Sequence, residues 1–143
     1  MSDPLILDTG GWLLALAGEA EYASALEAAS PLYVPSLVLA EVDYHLRRRR
    51  GEMRRLISDL VQGAYLLEPI TADDLARADE IDRKFASLEL GLVDATVAAV
   101  AERLNVRRVL TTDSDFVAVR IGRRWDLALE LVVPPPRRTH RRN

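Results

Sequence analysis

Four acidic residues of this chain lie where acids are uncommon, inside or directly after apolar segments. They are Asp8, Glu41, Asp94 and Asp113. A carboxylate that leaves water costs several kcal/mol unless it is paired, hydrogen-bonded, protonated or bound to a metal ion. Because the four acids are far apart in sequence, they predict a single site that is assembled by folding.

The rest of the composition narrows the chemistry of such a site. The chain has no cysteine and two histidines, His45 and His140. This excludes thiolate metal sites, cysteine nucleophiles and metal sites with several imidazole ligands. Carboxylate, hydroxyl and water oxygens remain, and these are the ligands that Mg²⁺ and Mn²⁺ prefer.

Clustered carboxylates repel one another, and a divalent cation between them removes that repulsion. A bound Mg²⁺ or Mn²⁺ can lower the pKa of a water molecule and hold a phosphate oxygen. The acids therefore predict metal-assisted hydrolysis of a phosphodiester bond.

Apolar runs and turn residues predict alternating strands and helices. Strands are predicted over residues 5–7, 33–34, 65–67, 108–111 and 127–133, and helices over 12–17, 19–29, 37–50, 52–62, 71–87 and 92–104. Residues 114–121 are predicted to form a short helix or an irregular segment. Ser36 is expected to cap the third helix, Gly51 to end it, and Thr71 with Asp74 to form a capping box.

This alternation is typical of a three-layer α/β/α sandwich with a short, mostly parallel central sheet. We expect one domain over residues 1–136 and a basic tail over 137–143, in a chain of 143 residues. Ligands of such folds bind at the carboxyl ends of the strands, where Asp8 and Asp113 are predicted to lie.

Each acid also has a purely structural interpretation. Asp8 and Asp113 are both placed to cap a helix N-terminus. Asp94 belongs to the first turn of its helix, where the helix dipole favours a negative charge. Glu41 is in mid-helix and must either pair with an arginine or face a polar cavity. Asp43 and Asp115 are weaker candidates than these four, because both are expected to face solvent.

At these residues the sequence resembles the PIN-domain ribonucleases, in particular the VapC-type toxins of bacterial toxin–antitoxin pairs. The resemblance lies in the ordered motifs LILDTGGW, VLAEVDYHL, GLVDATVAAVAERL and VLTTDSDF. It implies that Asp8, Glu41, Asp94 and Asp113 bind the metal, with Asp8 and Asp94 as the most direct ligands. The accessory residues that it implies are Thr9, Thr112 and Asp115. The family usually has Ser or Asn where this chain has Gly10.

The resemblance further implies an endoribonuclease that depends on Mg²⁺ or Mn²⁺, cuts RNA and inhibits translation. It implies a VapB-type antitoxin, whose C-terminal segment covers the acidic cleft, and a homodimer. No apolar run approaches the roughly 20 residues that span a bilayer, and no secretory signal is recognisable. We therefore expect no membrane association and a cytoplasmic location.

Arginine supplies 18 of the 19 basic residues. One block, Arg47, Arg48, Arg49 and Arg50, is a candidate RNA contact, because the guanidinium group suits phosphate. Its structural alternative is a solvated helix end. The arginines of the tail are candidates for salt-dependent contacts with the RNA backbone.

Two other functions remain open at this point. The first is a Mg²⁺-dependent phosphatase or phosphoacceptor domain, which usually needs a well-placed lysine, and Lys84 is the one lysine here. The second is a PIN-like domain that acts as a non-catalytic binding scaffold. Such a scaffold has no reason to keep a repulsive cluster of acids.

Overall fold

A parallel sheet of five short strands forms the centre of the computed structural model, which describes residues 2–135. The strands of this region are β1 (Leu5–Leu7), β2 (Leu32–Pro35), β3 (Leu66–Glu68), β4 (Arg108–Leu110), β5 (Arg120–Ile121), β6 (Leu127–Ala128) and β7 (Glu130–Leu131). The central sheet has the order β3-β2-β1-β4-β7, and every neighbouring pair is parallel. All its carboxyl ends therefore lie at one edge.

Helices connect and flank these strands. They are α1 (Thr9–Leu16), α2 (Ala20–Ala28), α3 (Ser36–His45), α4 (Arg50–Val61), α5 (Ala72–Lys84) and α6 (Gly91–Leu104), with 3₁₀ helices at Ala86–Leu88 and Ser114–Val117. The predicted α/β sandwich with a mostly parallel sheet is confirmed.

The core lies around the central strand. All three residues of β1 are fully buried, because the strand has neighbours on both sides and helices cover the sheet. Trp12 of α1 is also fully buried and packs on Tyr65, with ring centres 5.0 Å apart. The apolar side of α6 contributes Val97 and Val100 to the same core.

The third predicted helix is shorter than expected. It ends at His45, and Arg47 to Arg49 form a link to α4. Gly51 lies inside α4 instead of ending α3. The prediction was wrong because burial of Met53 and Leu56 on one side of α4 outweighs the cost of one glycine, about 1 kcal/mol.

Ser36 does not cap α3. The helix begins at this residue, directly after Pro35, and its Oγ accepts a hydrogen bond from the Ile70 amide at 3.1 Å. By contrast, the predicted capping box of α5 is present, with Thr71 and Asp74 bonding to each other's amide groups.

The predicted last strand, residues 127–133, is two short strands. β6 pairs antiparallel with β5 in a separate two-stranded sheet, whereas β7 pairs parallel with β4. The chain changes sheets at Leu129, which is buried. Local sequence does not encode this change, because it depends on which strands are within reach.

Two arginines, Arg77 of α5 and Arg103 of α6, form bidentate ion pairs with acidic side chains. Arg77 bonds both oxygens of Glu102, at 2.8 and 2.9 Å, and Glu102 accepts a bond from the Gly122 amide at 2.6 Å. Arg103 bonds both oxygens of Asp74, at 2.9 and 3.2 Å. These charge-assisted, bidentate pairs are among the stronger polar contacts that a protein makes.

None of the helices within residues 2–135 is long and apolar enough to cross a membrane. The domain boundary predicted at residue 136 and the basic tail, with its four arginines and His140, lie outside the described residues.

Candidate active site

Asp8 lies at the carboxyl end of β1, in the middle of the sheet. Its amide donates to the Leu110 carbonyl at 3.0 Å, and only 5% of the residue is exposed. It stands at the N-cap position of α1, but its side chain makes no capping bond. Instead, Asp8 Oδ2 accepts a bond from Thr111 Oγ1 at 2.6 Å. The capping interpretation therefore does not explain this buried acid.

Close packing of backbone brings Asp8 and Thr111 together. Leu7 is in register with Leu110, so the next residues on the two strands are neighbours. A Cβ atom on Gly11 would lie 2.5 Å from the Leu110 carbonyl carbon. Only glycine therefore allows the first turn of α1 to rest on the end of β4.

Glu41 reaches the same edge from the next strand, because α3 begins directly after β2. Its Oε1 accepts a hydrogen bond from Thr9 Oγ1 at 2.6 Å. Within residues 2–135 it forms no ion pair with an arginine. Of the two alternatives for a mid-helix Glu, the arginine pair is therefore not observed.

Asp94 and Asp113 complete the group. Asp94 is half-buried in the first turn of α6. Asp113 follows β4, and its Oδ1 accepts a bond from the Asp115 amide at 2.9 Å. The capping interpretation of Asp113 is thus correct for one oxygen. Its own amide donates to Thr111 Oγ1 at 3.0 Å.

The electrostatics indicate that the four acids converge. Burial raises the pKa of Asp8 to about 6, and the charges of Glu41 and Asp113 add to this effect, while bonds from Thr111 and the Thr9 amide oppose it. The pKa of Asp94 is also raised, to about 8. Burial is the largest cause, and interactions with Asp8, Asp113 and Glu41 raise this pKa further. Four acids from distant segments therefore act on one another, and no basic side chain is among the main causes of either shift.

The donor set fits a hard divalent cation in its chemistry, because it consists of carboxylate and hydroxyl oxygens with unneutralised negative charge. In the arrangement observed for residues 2–135, no group of three or more acidic or histidine side chains could hold a metal ion. Asp94 and Asp113 share a side-chain hydrogen bond, so part of the cluster is already in contact.

The predicted accessory residues differ in what they contact. Thr9 bonds Glu41. The expectation that Asp115 faces solvent was wrong, because this residue is buried and its amide donates to Asp113. Thr112 is turned toward the backbone of Gly10, and its Oγ1 occupies the space that a Cβ at residue 10 would need.

Thr111 is the site residue that sequence reasoning missed. Its hydroxyl links Asp8 to Asp113, as a donor to the first and an acceptor from the second. The available signal was its position: Asp8 and Thr111 each come directly after a buried strand, and adjacent parallel strands bring such residues together.

The four arginines of the predicted RNA contact lie between α3 and α4 and at the start of α4. Arg47 bonds the Tyr44 carbonyl at 2.9 Å, and Arg50 pairs with Asp43 at 2.7 Å. Arg49 is 3.9 Å from Glu52. They form no ion pair with the four clustered acids.

Lys84 is not placed for phosphate chemistry at Asp8. It ends α5, and its Nζ lies 5.7 Å from the centre of the Trp125 ring. The phosphatase alternative therefore gains no support from the fold.

Comparison with known proteins identifies the family. Residues 5–122 match the PIN domain family. The chain is 32% identical over 124 residues to Ribonuclease VapC26 of Mycobacterium tuberculosis, an alignment that covers 81% of this chain and 92% of the relative.

Solved structures have the same fold. The crystal structure of VapC20 from M. tuberculosis, a sarcin–ricin loop cleaving toxin, superposes with a TM-score of 0.64 at 29% identity, covering 80% of this chain and 93% of VapC20. A toxin–antitoxin complex from Klebsiella pneumoniae gives 0.65 at 23% identity, covering 78% and 89% of the two chains. VapBC2 of Rickettsia felis, bound to a DNA fragment from its promoter, gives 0.64 at 21% identity, covering 89% and 97%.

The order of the strands, the four acids at one sheet edge and these similarities agree. The chain belongs to the PIN domain family, as a VapC-type toxin of the toxin–antitoxin ribonucleases.

Proposed function

We propose that this protein is an endoribonuclease that depends on Mg²⁺ or Mn²⁺ and uses Asp8, Asp94, Glu41 and Asp113. The observation that carries the proposal is the raised pKa of both Asp8 and Asp94 at one sheet edge, with no basic side chain among the causes. Charge of this kind destabilises the fold above neutral pH, so it calls for a cationic ligand.

The residues of this chain divide into ligands and positioning groups. Asp8 and Asp94 are the proposed direct ligands, and Glu41 and Asp113 act through water or orient the nucleophile. Thr111 and Thr9 donate to Asp8 and Glu41, at 2.6 Å each, and thereby orient their carboxylates. When bound, the metal supplies positive charge that activates water and stabilises the phosphate. The proposal requires at least three of the carboxylates to lie closer together than they do in this structure.

RNA is the proposed substrate, and Arg47, Arg48, Arg49 and Arg50 are proposed contacts to its backbone. Because VapC20 is a sarcin–ricin loop cleaving toxin, a hairpin with that sequence is a reasonable first substrate. Cleavage of a translation RNA would inhibit protein synthesis, which is the toxic effect that we propose.

The proposed protein partner is a VapB-type antitoxin. Two structures of the same fold are toxin–antitoxin complexes, which supports this partner class. A segment that covers four acids should carry Arg or Lys, since like charges would repel it. We also propose a homodimer, and light scattering of the purified chain tests that state directly.

The main test compares the parent with Asp8→Asn in RNA cleavage with Mn²⁺. Cleavage should fall by more than about a hundredfold, because even the outer partners of metal ligands typically contribute 10- to 100-fold. Asp126→Asn is the matched control, since Asp126 is an exposed acid that does not belong to the cluster. Unchanged cleavage by a pure Asp8→Asn protein would show that the site is assigned wrongly.

Metal binding can be measured without RNA. Mn²⁺ should raise the melting temperature of the parent and of Asp126→Asn, because a ligand that binds only the folded state stabilises it. Asp8→Asn should respond much less. An equal shift for both Asn variants would place the metal elsewhere.

A further inference from the structure

The outer side of α3 continues beyond Glu41 with an exposed aromatic residue. Tyr44 follows Glu41 by three residues, so the two side chains leave the helix on the same side, roughly 4.5 Å apart along its axis. Tyr44 is 61% exposed, whereas Tyr22 and Tyr65 are buried in the core. Its ring therefore contributes little to packing of the domain.

An arginine is fixed against this ring. The Arg47 guanidinium lies 4.3 Å from the centre of the Tyr44 ring, and Arg47 Nη1 donates to the Tyr44 carbonyl at 2.9 Å. The His45 ring meets Tyr44 nearly edge-on, with centres 5.8 Å apart and planes at 77°. The aromatic group is thus held in place by two neighbours, although most of its surface is open to solvent.

RNA that reaches the acid cluster must be bound by side chains outside that cluster. Its carboxylates repel the phosphates of RNA, so affinity for the strand must come from side chains around the cluster. Unpaired bases stack on exposed aromatic rings and on guanidinium planes, and this contact tolerates any base. Tyr44, one helical turn from Glu41, and the Arg47 guanidinium against its ring combine both chemistries.

We propose that Tyr44, backed by Arg47, is a stacking site for one unpaired nucleobase of a single-stranded RNA segment. The base belongs to a nucleotide next to the phosphate that enters the acid cluster, because Tyr44 and Glu41 share one side of α3. Arg47 holds the ring and adds positive charge near the backbone. The inference rests on the proposed function, since it assumes that RNA reaches the acids.

The test measures binding of a fluorescent single-stranded RNA by anisotropy in EDTA, where metal-dependent cleavage cannot occur. The proteins are the parent, Tyr44→Leu and Tyr44→Phe. Leucine keeps an apolar side chain but cannot stack, so affinity should fall roughly 5- to 100-fold. Phenylalanine keeps the ring and is the matched control, with affinity close to that of the parent.

A second arm uses RNA with abasic nucleotides placed one at a time. One abasic position should weaken binding of the parent but have little further effect on Tyr44→Leu, because the stacking partner is already missing. Circular dichroism verifies that the variants are folded.

The proposal is overturned by equal RNA affinity of the parent and Tyr44→Leu. It is also overturned if every abasic position affects both proteins equally, or if light scattering shows that Tyr44→Leu changes the oligomeric state, which would make Tyr44 part of a contact between copies. These results leave the Asp8→Asn cleavage test untouched, so failure of the stacking site and failure of the nuclease assignment are distinguishable.

Discussion

Asp8 and Asp74 are buried to almost the same extent, 5% and 3% exposed, but their pKa values move in opposite directions. Burial raises the pKa of Asp8, and neighbouring carboxylates add to the rise. For Asp74, burial also acts to raise the pKa, but bonds from Arg103 and Thr71 and the charge of Arg103 lower it.

The same contrast holds for the two regions around these residues. Beside α5 and α6, the buried Asp74 and the half-buried Glu102 each have an arginine, Arg103 for Asp74 and Arg77 for Glu102. At the edge of the sheet, the partners of the acids among residues 2–135 are threonine hydroxyls, backbone amides and one another, and none of these partners is a cation. Burial alone therefore does not identify a site. A buried acid that has no compensating cation among the described contacts does indicate a site. Pairing it with an arginine would stabilise the fold, so the lack of such a pair needs another reason.

The largest expected effect tests this contrast through activity. Asp94→Asn should abolish RNA cleavage as Asp8→Asn does, by more than about a hundredfold, because it removes the second proposed ligand. Glu102→Gln should retain the specific activity of its folded fraction, since Glu102 serves only the arginine pair. A gel-based cleavage assay with Mn²⁺ measures both. Equal loss in the two variants would remove the functional distinction between the regions.

The next effect concerns stability at the paired acids. Arg103→Met should destabilise the domain by about 3 kcal/mol, the lower end of the range for breaking a buried pair, because Arg103 itself is partly exposed. Urea unfolding at pH 7 measures this change. A loss below about 0.5 kcal/mol would mean that Asp74 does not depend on its arginine.

The metal-free acid cluster should respond to pH in the opposite sense. A raised pKa means that Asp8 favours folding below its ordinary value of 3.8, and that this contribution is lost as pH rises through about 6. In EDTA, Asp8→Asn should therefore stabilise the protein at pH 8 relative to pH 4.5. The difference between the ordinary pKa of 3.8 and the folded-state pKa of about 6 sets the upper limit at about 3 kcal/mol.

Asp74 provides the control for this pH profile. Its lowered pKa gives stability that is present above its ordinary value and lost as pH falls through the folded-state value. Melting temperatures of Asp74→Asn and Asp8→Asn across the same pH series should diverge. Parallel profiles would contradict the assigned causes of the two shifts.

The smallest expected effect concerns Gly10. A Cβ there would collide with Thr112 Oγ1, so Gly10→Ala should cost about 1–2 kcal/mol through overpacking. In a Thr112→Ala background the same change should cost clearly less. A double-mutant cycle by urea unfolding measures the coupling, and additive effects would show that the two residues do not compete for space.

Much of the fold was predictable because its signals are local. The apolar run before Asp8 predicted strand β1, and Thr71 with Asp74 predicted the start of α5. The end of α3 and the division of the last strand were not predictable. The first depends on how α4 packs through Met53 and Leu56, and the second on which strands offer a free edge.

Among the candidate site residues, the four acids could be found because a carboxylate interrupts or follows an apolar run. Thr111 was missed, since a threonine at a strand end is ordinary. It becomes informative only when the register places it beside Asp8. The metal-binding roles of the acids remain predictions, and the variants above test them.

The sequence by itself determined the kinds of side chain available, carboxylates without thiols and with few imidazoles, and their positions at the ends of elements. Only the tertiary structure decided which acids meet an arginine and which meet one another. Asp8 and Asp74 both lie at the start of a helix, but which side chain each of them meets depends on parallel strand register and helix packing. Coulombic interaction acts over a few ångströms in space, whatever the separation along the chain.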